Sequence, residues 1–401
     1  MSRRQATFEV YGGKKGRWII DSVHDNEKQA VDHARALLSL PNEYDEVKVV
    51  RQRSLFAGFT TETSIFQQKK PDAKDRPLHV SKVQVSTGVC ATVDDLYTFE
   101  TRIAVARLFR SFLERFKITA TELLHGYPYM RKLSEAGPLI NTAIQQVGRT
   151  QAEGGKAKER VMALETLVNQ GIARARDFVP EKKKLKFNPA DLAATSQCLL
   201  TAVGPDRHDY AFLSLLTDHL QGSNSVAGRV DVVLDLMRDD QDAAALALLE
   251  GVVADALTSA ELVKEMLGPH QTLGDSLCAL ADLLHYRKPG PYVQLSPMLV
   301  RIGELMQAGK APFCRVILIE RLRQAVSQDQ PLDKRDPTAD GNLLKELAKR
   351  LKDDGGRTLG GSMVEKALAD RAIRQRQALL RAQGIDYAAD ALPQHYQPSV
   401  N

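Results

Sequence analysis

Apolar and polar positions along the chain follow two periods, and the period changes near residue 90. Residues 6–11 and 17–23 alternate apolar and polar side chains, as Phe8, Val10, Trp18 and Ile20 illustrate. Alternation with period two is typical of half-buried strands, and the glycine-rich GGKKG between the two segments fits a hairpin connection. A helix over 26–40 and strands over 46–52 and 60–66 come next along the chain. The pattern predicts a small β-β-α-β-β module with one helix packed on one sheet.

The helix of this module has clear start and stop signals. Asn26 or Asp25 can cap its first turn, and Pro41 with Asn42 ends it. We expect Trp18 to be a core residue between sheet and helix, and 79–85 to form a last short strand. The apolar face of the helix contains Ala30, Ala34, Leu37 and Leu38.

From residue 92 onward the apolar spacing becomes helical, and the stretch 90–126 organises the rest of the chain. We predict one long helix over 93–117, capped by Thr92 and Asp95. A second helix begins with the capping-box pair Thr119 and Glu122 and ends at Gly126 in a left-handed conformation. Apolar residues occur most of the way round the first helix, which indicates burial between neighbours.

The remaining sequence predicts helices joined by short connections that contain glycine or proline. No fixed repeat recurs, so an irregular bundle is favoured over a HEAT-like stack. The expected fold is an α+β N-terminal module followed by a large irregular all-α helical domain, mainly α overall. The predicted helices cover 120–125, 128–135, 138–150, 156–178, 189–203, 208–221, 224–238, 242–258, 260–267, 272–286, 296–308, 313–328, 338–353 and 362–383.

With 401 residues, the chain exceeds the size at which a single core stops growing, so several domains are expected. Polar, charged or proline-flanked stretches mark the boundaries. The predicted divisions are a module over 1–68, a linker over 69–91, helical subdomains over 92–180, 189–288 and 296–384, and a tail over 385–401.

Charge is unevenly distributed although the net charge is only +5. Counting Lys and Arg against Asp and Glu, residues 1–90 carry +4, 91–190 carry +6, 191–290 carry −9 and 291–401 carry +4. Such separation can steer a partner. It is also compatible with self-association of the acidic block with a basic one.

The cysteine pattern and the N-terminus indicate a compartment. The four cysteines, Cys90, Cys198, Cys278 and Cys314, are far apart and form no C-x-x-C pair, which favours buried thiols in a reducing environment. The first residues lack the apolar core of a signal peptide, and no apolar run reaches the ~18 residues of a membrane helix. We expect a cytoplasmic protein without a membrane partner.

Sequence motifs for catalysis are absent: the chain has no GxxxxGK[ST], GxSxG or HExxH. The pair His208-Asp209 resembles the histidine–aspartate pair of metal-dependent phosphohydrolases, but it stands at a helix start, where Asp is a capping residue. A metal-dependent hydrolase around this pair is therefore the third hypothesis. We predict no catalytic residue, cofactor or metal ligand.

Basic clusters beside aromatic residues are the candidate binding residues, because cations and aromatic rings hold nucleic-acid strands. The last helix also concentrates Arg371, Arg374, Arg376 and Arg381. The candidates for macromolecule binding are Lys14, Lys15 and Arg17 beside Tyr11 and Trp18, and Lys182, Lys183, Lys184 and Lys186 beside Phe187.

Four arginines on the long central helix have two interpretations. Arg102, Arg107, Arg110 and Arg115 can form a solvated rim with Glu100 and Glu114, which is the favoured interpretation. A binding groove for anions is the alternative.

Taken together, these patterns favour a non-enzymatic protein that binds another macromolecule as an adaptor, scaffold or regulator. A protein is the expected partner. Nucleic acid, bound by the N-terminal sheet and the 182–186 run, is the alternative.

Overall fold

The chain divides into two compact units, Met1–Pro77 and Leu78–Asn401. The division falls inside the stretch expected to be a linker. This fold comes from a computed structural model, which describes residues 6–14, 17–39, 44–54, 60–69, 77–82, 88–152, 156–238, 243–287, 295–333, 336 and 339–395.

The N-terminal unit contains an antiparallel sheet with strand order β2-β1-β3-β4. One helix, α1, joins β2 to β3 in sequence, so the predicted β-β-α-β-β order is confirmed. The elements are β1 (Ala6–Lys14), β2 (Arg17–His24), α1 (Glu27–Ser39), β3 (Glu46–Ser54) and β4 (Thr60–Lys69).

Helix α1 covers one face of the sheet. Asn26 caps it, because its Oδ1 accepts from the backbone N–H of Lys28 at 2.8 Å and of Gln29 at 3.3 Å. The core contains the predicted helix residues packed against alternate strand residues, as expected for a half-buried sheet. Its buried members are Phe8, Val10, Ala30, Ala34, Leu37, Leu38, Val47 and Val49.

Trp18 was expected in this core but lies on the other face of the sheet. In the strand register it is opposite Gly13, and the Lys48 Nζ lies 4.6 Å from its ring centroid. Lys48 stands between the buried Val47 and Val49, so its side chain points away from α1.

The prediction of a strand over 79–85 is wrong for the residues of this range that the structure describes. Residues 77–82 form no strand, and 83–85 lie outside the described residues. The segment is held by side chains instead: the backbone N–H of His79 donates to Ser111 Oγ, whose hydroxyl donates back to the His79 carbonyl.

The regular elements of the second unit are helices over its described residues, as predicted, apart from an isolated bridge between Lys352 and Thr358. The helices begin and end within a few residues of the expected bounds, apart from the central stretch and the last helix. They are α2 (Phe99–Leu108), α3 (Arg110–Phe116), α4 (Ala120–His125), α5 (Tyr127–Glu135), α6 (Leu139–Gln151), α7 (Ala157–Lys182), α8 (Leu192–Val203), α9 (Pro205–Leu220), α10 (Val226–Leu236), α11 (Ala243–Leu257), α12 (Ala260–Leu267), α13 (Leu273–Leu284), α14 (Pro297–Gln307), α15 (Pro312–Ser327), α16 (Asp340–Arg350), α17 (Gly361–Ala382) and α18 (Asp386–His395).

The long helix expected over 93–117 is three pieces. A short 3₁₀ helix, Asp94–Tyr97, precedes α2, and Thr98 rather than Thr92 caps α2 by accepting from the Thr101 N–H. The Asp95 carboxylate does accept from the Thr92 N–H, at 2.7 Å. Phe109, with φ −100° and ψ 25°, then separates α2 from α3.

The predicted start of α4 is confirmed, but the predicted left-handed residue at its end is not. Thr119 and Glu122 form the predicted capping box of α4. Gly126 has φ −104°, so it is not left-handed. The left-handed residue in this stretch is Lys117, with φ 55°, which ends α3.

Two clusters of buried side chains form most of the core of the helical unit. The larger draws residues from α2, α7 and each helix from α8 to α17, including the fully buried Phe212, Leu249 and Leu280. The smaller surrounds Phe112 and contains residues of α2 to α7. The division into three helical subdomains stays a prediction.

The tail expected after residue 384 begins with a helix, α18, whose Ala389 is fully buried. Residues 396–401 lie outside the described part. Within the part of the chain that the structure describes, no single helix is long and apolar enough to cross a membrane. Helices α11 and α12 meet that criterion only as a pair bent by 95°.

Candidate anion-binding cleft

A cleft in the helical unit lies where α2 and α3 meet α15, and it encloses a cavity of about 270 Å³. Five basic side chains line it, together with one carboxylate and neutral polar or apolar groups. The lining residues are Ser81, Lys82, Ala106, Arg107, Arg110, Thr258, Ile317, Glu320, Arg321, Arg323 and Gln324.

The segment before the helices brings Lys82 to the cleft. Leu78 and Val80 pack against the smaller core cluster, and the Ser81 N–H donates to the Leu108 carbonyl at 3.0 Å. The Gln146 amide donates to the Ser81 carbonyl at 3.2 Å. These contacts fix an otherwise irregular segment beside the end of α2.

Helix α15 supplies the innermost arginine, Arg321. Its Nε donates to the carbonyl of Leu257, the last residue of α11, at 3.3 Å, and its Nη1 donates to Gln324 Oε1 at 3.4 Å. A cation at the carbonyl end of a helix is favourable. None of the ion pairs among the described residues includes Arg321.

Burial lowers the pKa of Arg321 to about 10, and the charges of Arg110 and Arg107 contribute to the lowering. A depressed arginine pKa means that its positive charge is poorly compensated at this position. An anion in the cleft would offset the repulsion between these arginines.

The other cations of the cleft are only partly neutralised. Glu320 receives a bidentate contact from Arg323, at 2.7 and 2.8 Å, and is 3.7 Å from Arg107. Arg110 pairs with Glu114 at 2.7 Å, but both side chains are more than 40% exposed, and such surface pairs contribute little. Two carboxylates therefore serve five cations, which leaves a formal charge of +3.

Arg107 and Arg110 thus line the cleft, whereas Arg102 does not. Arg102 is 6% exposed and lies in what we call the buried polar layer, formed by Arg102, Thr121, Glu122, Arg229 and Asp255. There its Nη1 donates to Thr121 Oγ1 at 3.1 Å and its Nε is 3.7 Å from Asp255 Oδ1. The solvated-rim interpretation is wrong for Arg102.

The basic run after α7 is brought together in a turn, but not all of it is available. Lys182 donates to Asp218 Oδ1 at 2.8 Å and its side chain is only 13% exposed. Phe187 packs against Phe212 and His219. The exposed members are Lys183, Lys184 and Lys186.

Two of the N-terminal candidates lie at the facing ends of β1 and β2. Lys14 ends β1 and Arg17 begins β2, where it is exposed, while Lys15 lies outside the described residues. They belong to a different unit from the 182–186 run.

The sheet face opposite α1 carries rings as well as charges. Lys48 Nζ lies 4.8 Å from the Tyr11 ring and 4.6 Å from the Trp18 ring. The register places Glu9, Glu46 and Glu62 on the same face, and Glu9 accepts from the Tyr11 hydroxyl at 2.6 Å. Carboxylates thus accompany the aromatic rings, which disfavours a polyanion on this face.

The arginines of the last predicted helix mostly serve the fold. Arg371 is 3% exposed and donates to the carbonyls of Val326, Gln328 and Gln330 just after α15. Arg374 is 2.9 Å from Asp329, and Arg381 donates to Asp390 at 2.9 Å.

His208 and Asp209 form a local pair at the start of α9. A carboxylate can only accept, so His208 Nδ1–H donates to Asp209 Oδ1, at 2.8 Å. The Nε2 is 2.7 Å from Ser196 Oγ, so both ring nitrogens are engaged. Among the described residues, no group of three or more His, Cys, Asp or Glu side chains could hold a metal ion.

Three of the five cations of the cleft, and its lining carboxylate, were not predicted from the sequence. Lys82, Arg321, Arg323 and Glu320 carried no local signal, because they meet Arg107 and Arg110 only through the packing of α15 against the rest of the unit. The sequence signal that did exist was the arginine spacing on the central stretch.

Comparison with protein-family models, with curated proteins and with solved structures found no match.

Proposed function

We propose that this chain is a non-enzymatic binding protein and that the cleft binds an anionic segment of a protein partner. The observation that carries the proposal is the excess of five cations over two carboxylates around one cavity. Arginine forks match carboxylate and phosphate oxygens, and a positive cleft attracts such groups from solution.

The spatial distribution of the positive charge favours a protein partner over nucleic acid. Nucleic-acid backbones are tracked by extended basic grooves, whereas these cations converge on a single cavity of about 270 Å³. The exposed lysines of the 182–186 run and the hairpin residues Lys14 and Arg17 support the alternative, a nucleic-acid-binding role. Steeply salt-dependent binding to random single-stranded DNA or RNA would favour that alternative.

The test compares three forms of the tagged full-length chain in capture from nuclease-treated extract of its own cells. The double variant Arg110→Met/Arg321→Met removes two cleft cations. Arg131→Met removes an exposed arginine, with a 60% exposed side chain, on α5 outside the cleft. We expect at least one protein to be captured by the wild type and by Arg131→Met and lost by the double variant. Equal capture by all three forms, or no reproducible capture, would refute the proposal.

A further inference from the structure

The charge of the cleft exceeds what one carboxylate can neutralise. Its formal surplus is +3 after Glu320 and Glu114 are counted. An aspartate or glutamate side chain brings one negative charge, whereas a phosphorylated side chain brings about −1.5 to −2 and three acceptor oxygens. The surplus therefore favours a phosphate over a carboxylate.

The donors also come from three separate helices. Arg107 and Arg110 are on α2 and α3, and Arg321 and Arg323 are on α15. Guanidinium groups from separate elements can each bind different oxygens of one phosphate. The contacts of Arg321 to Leu257 and Gln324, at 3.3 and 3.4 Å, orient its guanidinium without neutralising it.

The size of the cavity suits such a group. At about 270 Å³ it has room for a phosphate together with the atoms that carry it.

From these observations we propose that the cleft recognises a phosphorylated serine or threonine side chain of the protein partner. This inference rests on the proposed function and adds the chemical class of the group that is bound. A phosphate that reaches the cleft on a free small molecule would share the same chemistry, so the experiment separates the two sources.

In the first part of the test, the purified full chain is titrated separately with O-phosphoserine, inorganic phosphate and glutamate. Isothermal titration calorimetry measures the binding of each. We expect saturable binding of phosphoserine, with glutamate at least about tenfold weaker, since a charged hydrogen bond lost from the site corresponds to a factor of about ten or more. Arg321→Met should weaken phosphoserine binding by a similar factor, and Arg131→Met should leave it unchanged. Circular dichroism confirms that both variants are folded.

The second part repeats the capture after the extract has been treated with phosphatase. Loss of the cleft-dependent partner after treatment supports the inference. A partner that is still captured, and still lost by Arg110→Met/Arg321→Met, would overturn the phosphate inference while leaving the proposed function in place. Saturable phosphoserine or phosphate binding without any phosphatase-sensitive partner would overturn it in favour of a free phosphorylated molecule. Equal affinity for glutamate and phosphoserine would overturn it as well.

Discussion

Arginines of the buried polar layer and arginines of the cleft belong to the same helical unit but have different surroundings. Arg229 donates to Glu122 Oε1 at 2.7 Å and to the Lys117 carbonyl at 2.5 Å, and it is 5% exposed. Arg321 reaches only a carbonyl and an amide oxygen, and its neighbours Arg107 and Arg110 have the same sign of charge. The first arrangement pairs each arginine with a buried carboxylate, although Arg102 Nε has no hydrogen-bond acceptor. The second arrangement gives Arg321 no ion pair among the described residues.

The buried polar layer extends through four helices. Thr121, on α4, donates from both its backbone N–H and its hydroxyl to Asp255 Oδ2 on α11. A Cβ at Gly251 would lie 2.5 Å from Arg102 Nη2, so glycine allows α11 to pass close to this guanidinium. The layer therefore depends on a close approach as well as on charge.

The largest expected effect comes from breaking a saturated pair. Arg229→Met leaves the Glu122 carboxylate, which is fully buried, without its cation. An uncompensated buried charge typically costs about 3–5 kcal/mol. We expect the free energy of unfolding, measured by urea denaturation, to fall by that amount.

The control for this prediction is Arg131→Met, which removes an exposed partner of Glu135 and should change stability by less than about 0.5 kcal/mol. The double variant Glu122→Gln/Arg229→Met should recover part of the loss, because glutamine keeps the cap on the Thr119 N–H without the charge. A loss no larger for Arg229→Met than for Arg131→Met would show that the layer does not depend on charge.

A smaller loss is expected for Arg371, which resembles the layer in burial but donates to carbonyl oxygens and lies 3.8 Å from the Asp340 carboxylate. Arg371→Met removes charged hydrogen bonds to Val326, Gln328 and Gln330. We expect a decrease of about 1.5–3 kcal/mol in the free energy of unfolding.

Arg374→Met on the same helix is the matched control for Arg371→Met. Its side chain is 37% exposed and its partner Asp329 is 88% exposed, so the loss should stay below about 1 kcal/mol. Equal losses for the two variants would place the stabilisation in helix packing rather than in the carbonyl contacts.

The separation in sequence between contacting residues explains which features could be predicted from the sequence. The capping box at Thr119 and Glu122 and the apolar face of α1 depend on residues a few positions apart, and both were predicted. The break at Phe109 was not, because no glycine or proline marks it; the residue is held by the packing of its own buried ring. Burial of Arg102 was not predicted either, because its partners Thr121 and Asp255 are distant in sequence.

Candidate residues show the same limit. The sequence indicated basic side chains beside aromatic ones, yet it could not tell that Lys182 is paired with Asp218 or that Phe187 packs into the core. It also could not bring Arg321 to Arg107 and Arg110. Local pattern identifies which residues are charged, and only tertiary packing decides which of those charges are neutralised.

The pH dependence of the free energy of unfolding provides a further test of the buried polar layer. His125, which is next to Thr121 and Arg102, is 2% exposed. Burial, with a contribution from Arg102 and Arg174, lowers the pKa of His125 to about 3, although its Nδ1–H donates to the Thr121 carbonyl. The unfolded chain, with a histidine pKa near 6.5, therefore binds the proton more readily between pH 3 and 6.5.

Stability should accordingly be constant with respect to this group above about pH 6.5 and fall by up to about 1.4 kcal/mol per pH unit below it. Urea denaturation of the wild type and of His125→Gln at several pH values measures the effect. We expect the variant to be less stable at pH 7.5 and to lose less stability than the wild type between pH 6.5 and 4.5. Parallel curves for the two proteins would show that His125 is protonated in the folded state.

The smallest effect on stability is expected for Arg321→Met, where the cleft differs most from the layer. The substitution removes two long hydrogen bonds but also a cation whose pKa is lowered by burial and by Arg110 and Arg107. These contributions oppose each other, so the free energy of unfolding in chloride should change by less than about 1 kcal/mol.

Sulfate at matched ionic strength should separate the two proteins, because an anion that binds only the folded cleft adds RT ln(1 + [L]/Kd), about 1.4 kcal/mol at ten times Kd. The wild type should gain stability in sulfate and the variant should not. A loss of about 3 kcal/mol in chloride, as expected for Arg229→Met, would instead mean that Arg321 is a neutralised structural arginine and that the two regions are alike.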